Sequence, residues 1–431
     1  MSRIGIVGAG IGGLQLGLLL RSCGISATVY TERTPEQVRA GRLRNVVVRN
    51  GPTRARERSL GIANWDGEAP DFGRLSVTVT GPRPLAFSGA LAPTSQLVDM
   101  RLYCARLLEV FAARGGDVAV RRLSAADLVE LSSVHDLVVV ACGRGPLASV
   151  FAPVPEHSPH SRPQRTAVFA LFRGVRYPDP LDFSVSVSRG NGEILAFPIH
   201  SFEPDLTGIA VEVVAGGEFS VLATMRYEAD PRAFEGAFAG ILRAHAPALF
   251  ERIDPARFCV ARPVDAGAAA ITPAVRRGWA RLSNGRPVVA LGDAHVVMDP
   301  ITGQGANKAS HAAFVLGDAI RQAREFDEEF CAAVEAQVCA YALPVSDACN
   351  ARLVAPPPHV ARLLGAAAQH QAVADLYGDG FNHPDLYWQI LTSEERTDAV
   401  IRLLTQALPS PPGAPPPPRD LPSLARMWTQ V

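Results

Sequence analysis

The stretch "IGIVGAGIGGLQLGLLLRSCGISATVY", residues 4–30, decides the fold of the first part of the chain. Residues 4–7 are an apolar run that ends in glycine, residues 14–23 have helical spacing, and residues 27–30 are a second apolar run. Strand, turn, helix and strand in this order form a βαβ unit with glycines in the GxGxxG pattern, which predicts a dinucleotide-binding domain. The three glycines allow a tight turn, approach of a pyrophosphate and close helix–strand packing, respectively. These roles fall to Gly8, Gly10 and Gly13.

The contact to the adenosine ribose has two candidate solutions. A carboxylate is expected about 20 residues beyond the motif, at the end of the second strand. Thr31 falls at that position and Glu32 follows it. Either Glu32 reaches the ribose from a shifted strand end, or Thr31 and Arg33 contact the adenosine half differently.

Composition narrows the class of protein. The sequence has 431 residues, of which 48% are hydrophobic and 19% charged, enough for a large core and two closely joined domains. The formal net charge is zero, so no overall basic field favours nucleic acid or an anionic membrane. The sequence has no uninterrupted apolar run of about 18 residues, the length needed to span a membrane. Glycines interrupt the apolar stretch at the start of the chain, which is not typical of a signal peptide. We therefore expect a cytoplasmic protein.

Cysteine and histidine spacing gives no sign of a metal site. The seven cysteines lack a CxxC pair, and the histidines lack ligand spacing such as HxxxH. We expect reduced cysteines and no bound metal. His295 is interpreted as a packing or hydrogen-bonding loop residue rather than a catalyst, and Lys308, the one lysine in the sequence, as a helix residue.

The rest of the chain predicts a discontinuous α/β architecture. Buried parallel-type strands are predicted at 137–140 and 288–291, with strand-like alternation at 75–87 and an antiparallel sheet between 165 and 214 that includes the hairpin "RGNGE". We predict a Rossmann-like FAD-binding domain with an inserted antiparallel-sheet substrate domain and a helical C-terminal region. The predicted parts are 1–75, 98–160 and 270–345 for FAD binding, 76–97 and 161–269 for the substrate domain, 346–408 for the helical region, and 409–431 for a Pro-rich tail.

A second motif, "LGDAHVVMDPITGQGANKAS" at residues 291–310, lies almost 300 residues after the first. A strand ends in Gly-Asp, and paired glycines then open a helix, which places backbone amides against an anion or a polar ring edge. Asp293 would accept hydrogen bonds from a ribityl chain. Binding of NAD would not require this second motif, whereas FAD would. The residues assigned to the far half of FAD are Asp293, Pro300, Gly303, Gln304, Gly305 and Asn307.

Both motifs together resemble the flavoprotein aromatic hydroxylase superfamily. We therefore expect this chain to have a fold like that of p-hydroxybenzoate hydroxylase, a member of that superfamily. Further stretches resemble its styrene and indole monooxygenase branch, and they are spread over nearly the whole chain. They are "TVYTERTPE" (28–36), "GRLRNVVVRN" (41–50), "VDMRLYCARLLEVFAARGG" (98–116), "YEADPRAFE" (227–235), "ERIDPARF" (251–258) and "FNHPDLYW" (381–388).

This resemblance implies the oxygenase component of a two-component monooxygenase. Reduced FAD, supplied by a separate NADH-dependent flavin reductase, would react with O2 to give a C4a-hydroperoxide, which would epoxidise an aryl alkene or indole-type double bond or oxygenate a sulfide. One-component relatives carry a Gly-Ala-Asp-Gly segment where this chain has Ala141-Cys142-Gly143. That departure argues against reduction by NAD(P)H on this chain. The implied substrate is a small aromatic or alkene, and a homodimer is compatible with the resemblance.

The resemblance also implies residue roles. Asn45 and Arg42 match a flavin-side active-site loop, and Asn45 is the candidate to orient substrate or flavin. Arg101 matches an arginine aimed at the cofactor phosphates. Pro300, Gly303 and Gln304 would lie against the isoalloxazine and act in catalysis, and the expected substrate-pocket residues are Ser95, Val47 and Ile301.

Other functions stay open at this point. A one-component NAD(P)H-dependent aromatic hydroxylase and a non-catalytic FAD-binding protein are the main alternatives, and a flavin-dependent prenyl reductase is a further one. A flavin-dependent halogenase needs an active-site lysine and a WxWxIP segment. The sequence lacks that segment, and its one candidate lysine, Lys308, lies three residues after Gly305 at the predicted helix start, so the halogenase alternative is the weakest.

Overall fold

The computed structural model describes residues 2–81, 84–405 and 420–422, so the predicted Pro-rich segment at 409–418 lies outside the described residues. The strands are β1 Arg3–Val7, β2 Ser26–Thr31, β3 Val46–Arg49, β4 Asp71–Thr80, β5 Leu85–Asp99, β6 Asp117–Val120, β7 Leu137–Val140, β8 Thr166–Arg173, β9 Phe183–Ser188, β10 Gly192–Ile199, β11 Leu206–Val213, β12 Cys259–Val260, β13 Ala266–Ala270, β14 Ala274–Val275, β15 Trp279–Arg281, β16 Pro287–Ala290 and β17 Val296–Val297. The helices are α1 Ile11–Ser22, α2 Pro35–Arg39, α3 Gly51–Ser59, α4 Met100–Ala113, α5 Ala125–Val134, α6 Ser220–Thr224, α7 Pro231–His245, α8 Pro247–Phe250, α9 Gly305–Gln322, α10 Glu328–Arg352, α11 Pro358–Ala367, α12 Gln371–Asp379, α13 Pro384–Leu391 and α14 Glu394–Thr405.

The chain divides into two compact units, each made of separate segments. Unit 1 contains Met1–Gly67, Val98–Pro163 and Ile271–Asn350. Unit 2 contains Glu68–Leu97, Gln164–Ala270 and the chain from Ala351 onward. The assignment of FAD binding to one part of the chain and substrate binding to the other stays a prediction.

Unit 1 is built on a largely parallel sheet with strand order β15-β16-β7-β1-β2-β6. Only the β15–β16 pair among these is antiparallel. The central strands are continuous apolar runs because helices cover both faces of such a sheet. Ile6, for example, lies between Val29 on β2 and Val139 on β7, and all three side chains are fully buried. The predicted Rossmann-like architecture is confirmed in this unit.

The strand order brings the sequence motifs of unit 1 to one edge of the sheet. Parallel strands end at the same edge, and β16, β7, β1 and β2 are neighbours. The chain turns sharply after three of them, at Gly8 (φ 121°), Gly143 (φ 76°) and Gly292 (φ 66°). At positive φ, a residue with a side chain is strained, so glycine is favoured at these strand ends.

Unit 2 contains a sheet with strand order β12-β8-β11-β10-β9-β4-β5, and β13 also pairs with β8. The predicted hairpin is confirmed, because β9 and β10 pair antiparallel around a turn in which Gly190 has φ 81°. One face of the sheet packs on α7, where Phe172 and Phe238 are fully buried and their ring centroids lie 5.1 Å apart. Helices α11 to α14 form the helical C-terminal region.

Two details differ from the sequence expectation. The strand-like stretch at 75–87 is parts of two strands, β4 and β5, which pair antiparallel. The sheet of unit 2 also includes one parallel pair, β4 with β9. A tight turn joins antiparallel neighbours, whereas the long connection between β4 and β9 leaves their direction free.

No helix within the described ranges is long and apolar enough to cross a membrane. All seven cysteines are free thiols. The cytoplasmic location stays a prediction from the sequence.

Candidate functional site

The first glycine turn is shaped by close contacts between backbone segments. The Gly8 amide donates to the carbonyl oxygen of Tyr30 at 2.8 Å. A Cβ on Gly8 would lie 2.4 Å from the carbonyl oxygen of Ala141, and a Cβ on Gly13 would lie 2.2 Å from the carbonyl oxygen of Gly8. Around Gly10 the nearest atom would be 3.7 Å away. The first and third glycines are therefore required for packing, and the second leaves room for a ligand to approach.

The N-terminus of α1 has the properties of an anion site. Gly10 is its N-cap residue, and no side chain caps the helix there. The first backbone amides of a helix lack partners within the helix, and the helix dipole adds positive potential at this end. An open glycine beside unsatisfied amides fits the pyrophosphate of a dinucleotide.

Among the candidates for the adenosine half, Glu32 is the accessible acidic group. Its side chain is 63% exposed, and its Oε1 lies 3.6 Å from the Nε of Arg122. Thr31 is buried, and its hydroxyl is engaged with the backbone of Arg33. The Glu32 carboxylate is therefore open to solvent, whereas the Thr31 hydroxyl is already engaged, and the choice between them for the ribose stays a prediction.

Arg101, the predicted phosphate contact, is enclosed by partners within unit 1. Its side chain is only 4% exposed, and its guanidinium binds the carboxylate of Asp99 at 2.9 and 2.5 Å. Its Nη1 donates to the carbonyl oxygen of Gly41 at 3.2 Å. Because the charge is already paired and buried, the geometry does not support direct contact with a phosphate. Arg101 instead fixes the start of the loop that carries Arg42 and Asn45.

The loop before β3 presents its polar side chains outward. Arg42 and Asn45 are both exposed. The Asn45 Oδ1 accepts from the backbone amide of Val46 at 2.8 Å, which orients the side chain. Val47, by contrast, is fully buried, so no ligand can touch it in this conformation, and its predicted pocket role lacks an open surface.

The loop after β16 holds Asp293 between two cations. Its carboxylate is 40% exposed, with Oδ1 at 3.3 Å from the Nζ of Lys308 and Oδ2 at 4.0 Å from the Nε of Arg144. Arg144 follows β7 and Asp293 follows β16, so the parallel pairing of these strands brings the two side chains together. His295 is buried, and burial together with Lys308 and Arg277 lowers its pKa to about 4. Its imidazole is therefore neutral at pH 7, as expected for a packing residue.

The second glycine turn also leads into a helix that no side chain caps. The Asp299 carboxylate accepts from the Ile301 amide at 3.1 Å, and Gly303 takes the left-handed conformation with φ 64°. The turn ends at Gln304, the N-cap residue of α9, whose side chain caps nothing. A Cβ on Gly305 would meet no atom within 4 Å. This second set of helix-start amides therefore fits the polar edge of a flavin ring.

The exposure of the second turn is uneven. Pro300, Gly303 and Gly305 are half-buried, whereas Ile301 is 8% and Gln304 3% exposed. The backbone at this turn therefore offers more surface to a ligand than the two larger side chains do.

Asn307 is the most enclosed side chain among the candidates for the second turn. Its side chain is fully buried. Its Oδ1 accepts from the Thr53 hydroxyl at 2.8 Å and the Asn50 amide at 3.2 Å, and its Nδ2 donates to the Gln304 Oε1 at 3.1 Å. A side chain enclosed in this way joins the start of α9 to the start of α3. Its side chain supports the second turn, and its assignment to cofactor binding stays a prediction.

In unit 2 the structure reveals an aromatic cluster that sequence reasoning missed. The ring centroids of Phe183 and Phe197 lie 5.3 Å apart and those of Phe72 and Phe183 5.8 Å, while Phe381 lies 6.4 Å from both Phe72 and Phe183. Ser95 is the cross-strand partner of Phe72, and its buried hydroxyl has no hydrogen-bond partner. Phe381 belongs to the quoted stretch "FNHPDLYW", which was the one available indication.

Within the described ranges, no group of three His, Cys, Asp or Glu side chains could hold a metal ion. The candidate site is built from helix-start amides, glycine turns and the Asp293 carboxylate. These are features suited to an organic dinucleotide cofactor.

Solved structures with a similar fold are flavoproteins. The flavin-dependent brominase Bmp2 matches with a TM-score of 0.60 at 16% identity, covering 100% of this chain and 98% of that one. HpxO of Klebsiella pneumoniae, solved with FAD and uric acid, matches with a TM-score of 0.61 at 17% identity, covering 90% of this chain and 97% of that one. At these identities the likeness shows the fold and carries no activity from either protein.

Sequence relatives define the family. Residues 143–252 match the family model described as "Styrene monooxygenase A putative substrate binding domain". The styrene monooxygenase StyA of Pseudomonas fluorescens is 38% identical over 398 residues, covering 91% of this chain and 96% of that protein, and StyA of another Pseudomonas gives the same values. Similarity of this extent confirms the resemblance inferred from the motifs. The chain therefore belongs to the styrene monooxygenase family of FAD-dependent monooxygenases.

Proposed function

We propose that this chain is the oxygenase component of a two-component monooxygenase that oxygenates aryl alkenes, indole-type double bonds or sulfides. The similarity to StyA along nearly the whole of both chains carries this proposal. When bound, reduced FAD would supply the activation of O2 and the transfer of one oxygen atom. The residues of this chain bind and orient the partners and keep water out.

The residues of unit 1 would hold the cofactor along the edge of the parallel sheet. The amides at the start of α1, beside Gly10, would bind the pyrophosphate, and Glu32 would accept from the adenosine ribose. Asp293 would accept from the ribityl hydroxyls. The turn from Pro300 to Gly305 would face the flavin ring with its helix-start amides. Glu32 and Asp293 are exposed acceptors, and the helix-start amides are donors, as these contacts require.

The loop before β3 would complete the flavin side of the site. Arg42 and Asn45 are exposed there, and the contact of Arg101 with Gly41 fixes where the loop begins. Asn45 is already oriented by its bond to the Val46 amide. We propose that it positions substrate or flavin without transferring a proton.

The aromatic cluster of unit 2 would receive the aryl group of the substrate. Edge and offset contacts between aromatic rings each contribute about 0.5–1.5 kcal/mol beyond the burial of apolar area. Phe381, the half-buried member of the cluster, offers such a contact, while Phe72, Phe183 and Phe197 pack behind it and are only 1%, 7% and 7% exposed. The unpartnered Ser95 hydroxyl lies beside Phe72. An apolar wall with one polar group would favour a small aromatic molecule over a charged one.

A separate NADH-dependent flavin reductase would supply the reduced cofactor. The sequence contains one GxGxxG motif, which FAD itself would occupy. The segment after β7 reads Ala-Cys-Gly, without the aspartate of one-component relatives. Both observations favour reduction on another protein.

Incubation of the full chain with FAD, a flavin reductase, NADH and 18O2 tests this proposal. The substrate panel is styrene, indole and an aryl methyl sulfide. We expect one labelled oxygen atom in the epoxide, the indole product or the sulfoxide. Complete absence of label from every product would contradict the proposal.

Omitting the reductase separates the main alternatives. Under anaerobic conditions NADH alone should leave the absorbance of the bound oxidised flavin unchanged. Rapid bleaching would identify a one-component hydroxylase. A protein that binds FAD but yields no oxygenated product with any reductase would fit the non-catalytic alternative.

A further inference from the structure

The one lysine in the sequence is buried at the beginning of α9. Lys308 lies in the first turn of that helix, and its side chain is 2% exposed. Burial lowers the pKa of its ammonium group, while the neighbouring Asp293 acts in the opposite direction. A buried ammonium is costly unless it is paired and hydrogen-bonded. We therefore expect the buried Lys308 ammonium to have a specific ion-pair or hydrogen-bond partner.

Both partners of Lys308 lie in the chain that follows β16, Asp293 in the loop and Val296 at the start of β17. Its Nζ donates to the carbonyl oxygen of Val296 and lies 3.3 Å from the Oδ1 of Asp293. This part of the chain is thus tied to α9 at two points through one side chain. At the first glycine turn, by contrast, the nearest contacts of Gly8 and Gly13 are with backbone atoms.

The Asp293 carboxylate has one end turned to Lys308 and another left for a ligand. Oδ1 faces the buried ammonium, whereas Oδ2 lies toward the exposed Arg144 at 4.0 Å. A free carboxylate rotates readily about its last torsion, so a fixed contact at Oδ1 restricts the direction of Oδ2. Preorganisation of this kind strengthens binding because less freedom is lost when the ligand arrives.

We propose that Lys308 is a positioning residue for flavin binding, which holds the Asp293 carboxylate in the orientation that accepts hydrogen bonds from the ribityl chain of FAD. This inference rests on the proposed function, which assigns Asp293 to the ribityl chain. Lys308 itself does not touch the cofactor. If the lysine had only a structural role, its loss would lower stability but would leave the Asp293–ribityl interaction unchanged.

A double-mutant cycle in the full chain tests the proposal. The variants are Lys308→Met, Asp293→Asn and the double variant, and the measurement is the Kd of oxidised FAD from quenching of its fluorescence. We expect Lys308→Met to raise the Kd by about tenfold in the presence of Asp293, the range seen for directly coupled residues. In the Asp293→Asn background the same substitution should change the Kd by less than about twofold.

The outcomes distinguish this inference from the function on which it rests. If Asp293→Asn leaves the Kd unchanged, the assignment of Asp293 to the ribityl chain is wrong and both proposals about it fall. If Asp293→Asn raises the Kd and Lys308→Met raises it equally in both backgrounds, only the role of Lys308 is overturned. An unchanged Kd in Lys308→Met would overturn it as well.

Two further variants test whether a change in the Kd of FAD comes only from a change in folding. Lys308→Gln keeps a hydrogen-bond donor for the Val296 carbonyl group but removes the charge, and it replaces Lys308→Met in the cycle if the latter does not fold. Leu316→Ala, at a buried position of the same helix, should lower the unfolding temperature without changing the Kd. An equal rise in Kd for Leu316→Ala would show that loosening of α9 alone explains the result, and would overturn the proposal.

Discussion

The two glycine turns of unit 1 both open a helix with uncapped amides, but they are held in different ways. The turn from Gly8 to Gly13 is closed by backbone atoms so near that a Cβ on Gly13 would lie 2.2 Å from a carbonyl oxygen. Around Gly305, at the second turn, the same Cβ would meet nothing within 4 Å. Side chains hold that turn instead: Asn307 with Thr53, and Lys308 with Asp293.

The same local motif is thus specified by two different kinds of contact. A turn closed by backbone contacts depends on the absence of side chains, and it is visible in the sequence as a glycine pattern. A turn held by side chains depends on partners brought together by the fold. Substitutions should therefore act oppositely at the two turns.

The largest effect is expected for Gly13→Ala. The new methyl group would press on the Gly8 carbonyl oxygen, and backbone cannot yield as a flexible side chain does. We expect the free energy of unfolding to fall by about 4 kcal/mol, with loss of FAD binding. Urea denaturation measures the first and fluorescence quenching of FAD the second.

Gly305→Ala is the matched control for this prediction. It adds the same methyl group at the second turn, where space is open, and it removes the entropy cost of glycine in a helix. Its unfolding free energy should stay the same or rise by up to about 1 kcal/mol. An equal loss of stability in both variants would break the comparison.

The next largest effect is a loss of folding stability at acid pH, to which two histidines near the second turn contribute. His295, in the loop of Asp293, and His311, in α9, both have a pKa lowered to about 4, chiefly by burial. In the unfolded chain histidine has a pKa near 6.5, so between about pH 6.5 and 4 the unfolded state binds more protons. Stability is therefore complete above about pH 6.5 and is lost as the pH falls, by up to about 3 kcal/mol for each histidine.

The variant His295→Gln measures how much of this acid-dependent loss of stability comes from His295. Glutamine does not titrate, so the variant should lose about half of the acid-dependent decrease in unfolding temperature between pH 7 and 4.5. His370→Gln, at an exposed position in unit 2, should retain the full decrease. Identical pH profiles for the two variants would assign the acid sensitivity elsewhere.

A smaller effect is expected from Thr53→Val. This substitution removes the hydroxyl that donates to Asn307 and accepts from Arg56, and leaves buried polar atoms without that partner. A buried group deprived of its hydrogen bond costs about 1–3 kcal/mol, so the unfolding free energy should fall by about 2 kcal/mol. Thr53→Ser keeps the hydroxyl and should recover most of this loss in urea denaturation. Failure of serine to recover it would place the effect in packing.

The smallest effect is expected at the exposed end of β2, which the first turn contacts through the Gly8 amide and the Tyr30 carbonyl oxygen. Arg122 and Glu32 are 83% and 63% exposed, and their side chains lie 3.6 Å apart. Surface ion pairs contribute between about 0 and 1 kcal/mol, so Arg122→Ala should change the unfolding free energy by less than about 0.5 kcal/mol. Glu32→Ala should be equally neutral for stability yet weaken FAD binding. A large stability loss in Arg122→Ala would show that side chains also hold the first turn.

The comparison also explains which features could be predicted from the sequence. The βαβ unit, the hairpin around Gly190 and the loop of Asp293 follow from local patterns, because turns and strand ends need particular residues nearby. Asn307 and Arg101 were identified as important residues, but their roles required knowing Thr53, Asp99 and Gly41 as partners. Those contacts span from 2 to 254 positions and depend on burial, which a local pattern does not contain.

The aromatic cluster of unit 2 was missed for the same reason. Phe72, Phe183, Phe197 and Phe381 lie on separate elements, and each alone is an ordinary apolar residue of a strand or loop. Only the parallel pairing of β4 with β9, which sequence analysis did not predict, brings the first two together. Where strand order is set by long connections, the wall of a binding site becomes visible only with the fold.

The burial of Lys308 gives the chain a chemical reporter of its own opening. Acylating reagents attack unprotonated amines that solvent can reach, and the one lysine of this sequence has a 2% exposed side chain. Acyl groups should therefore add to this side chain only when the start of α9 separates from the loop of Asp293. The rate of that mass increase, followed with and without FAD, would count how often the second turn opens.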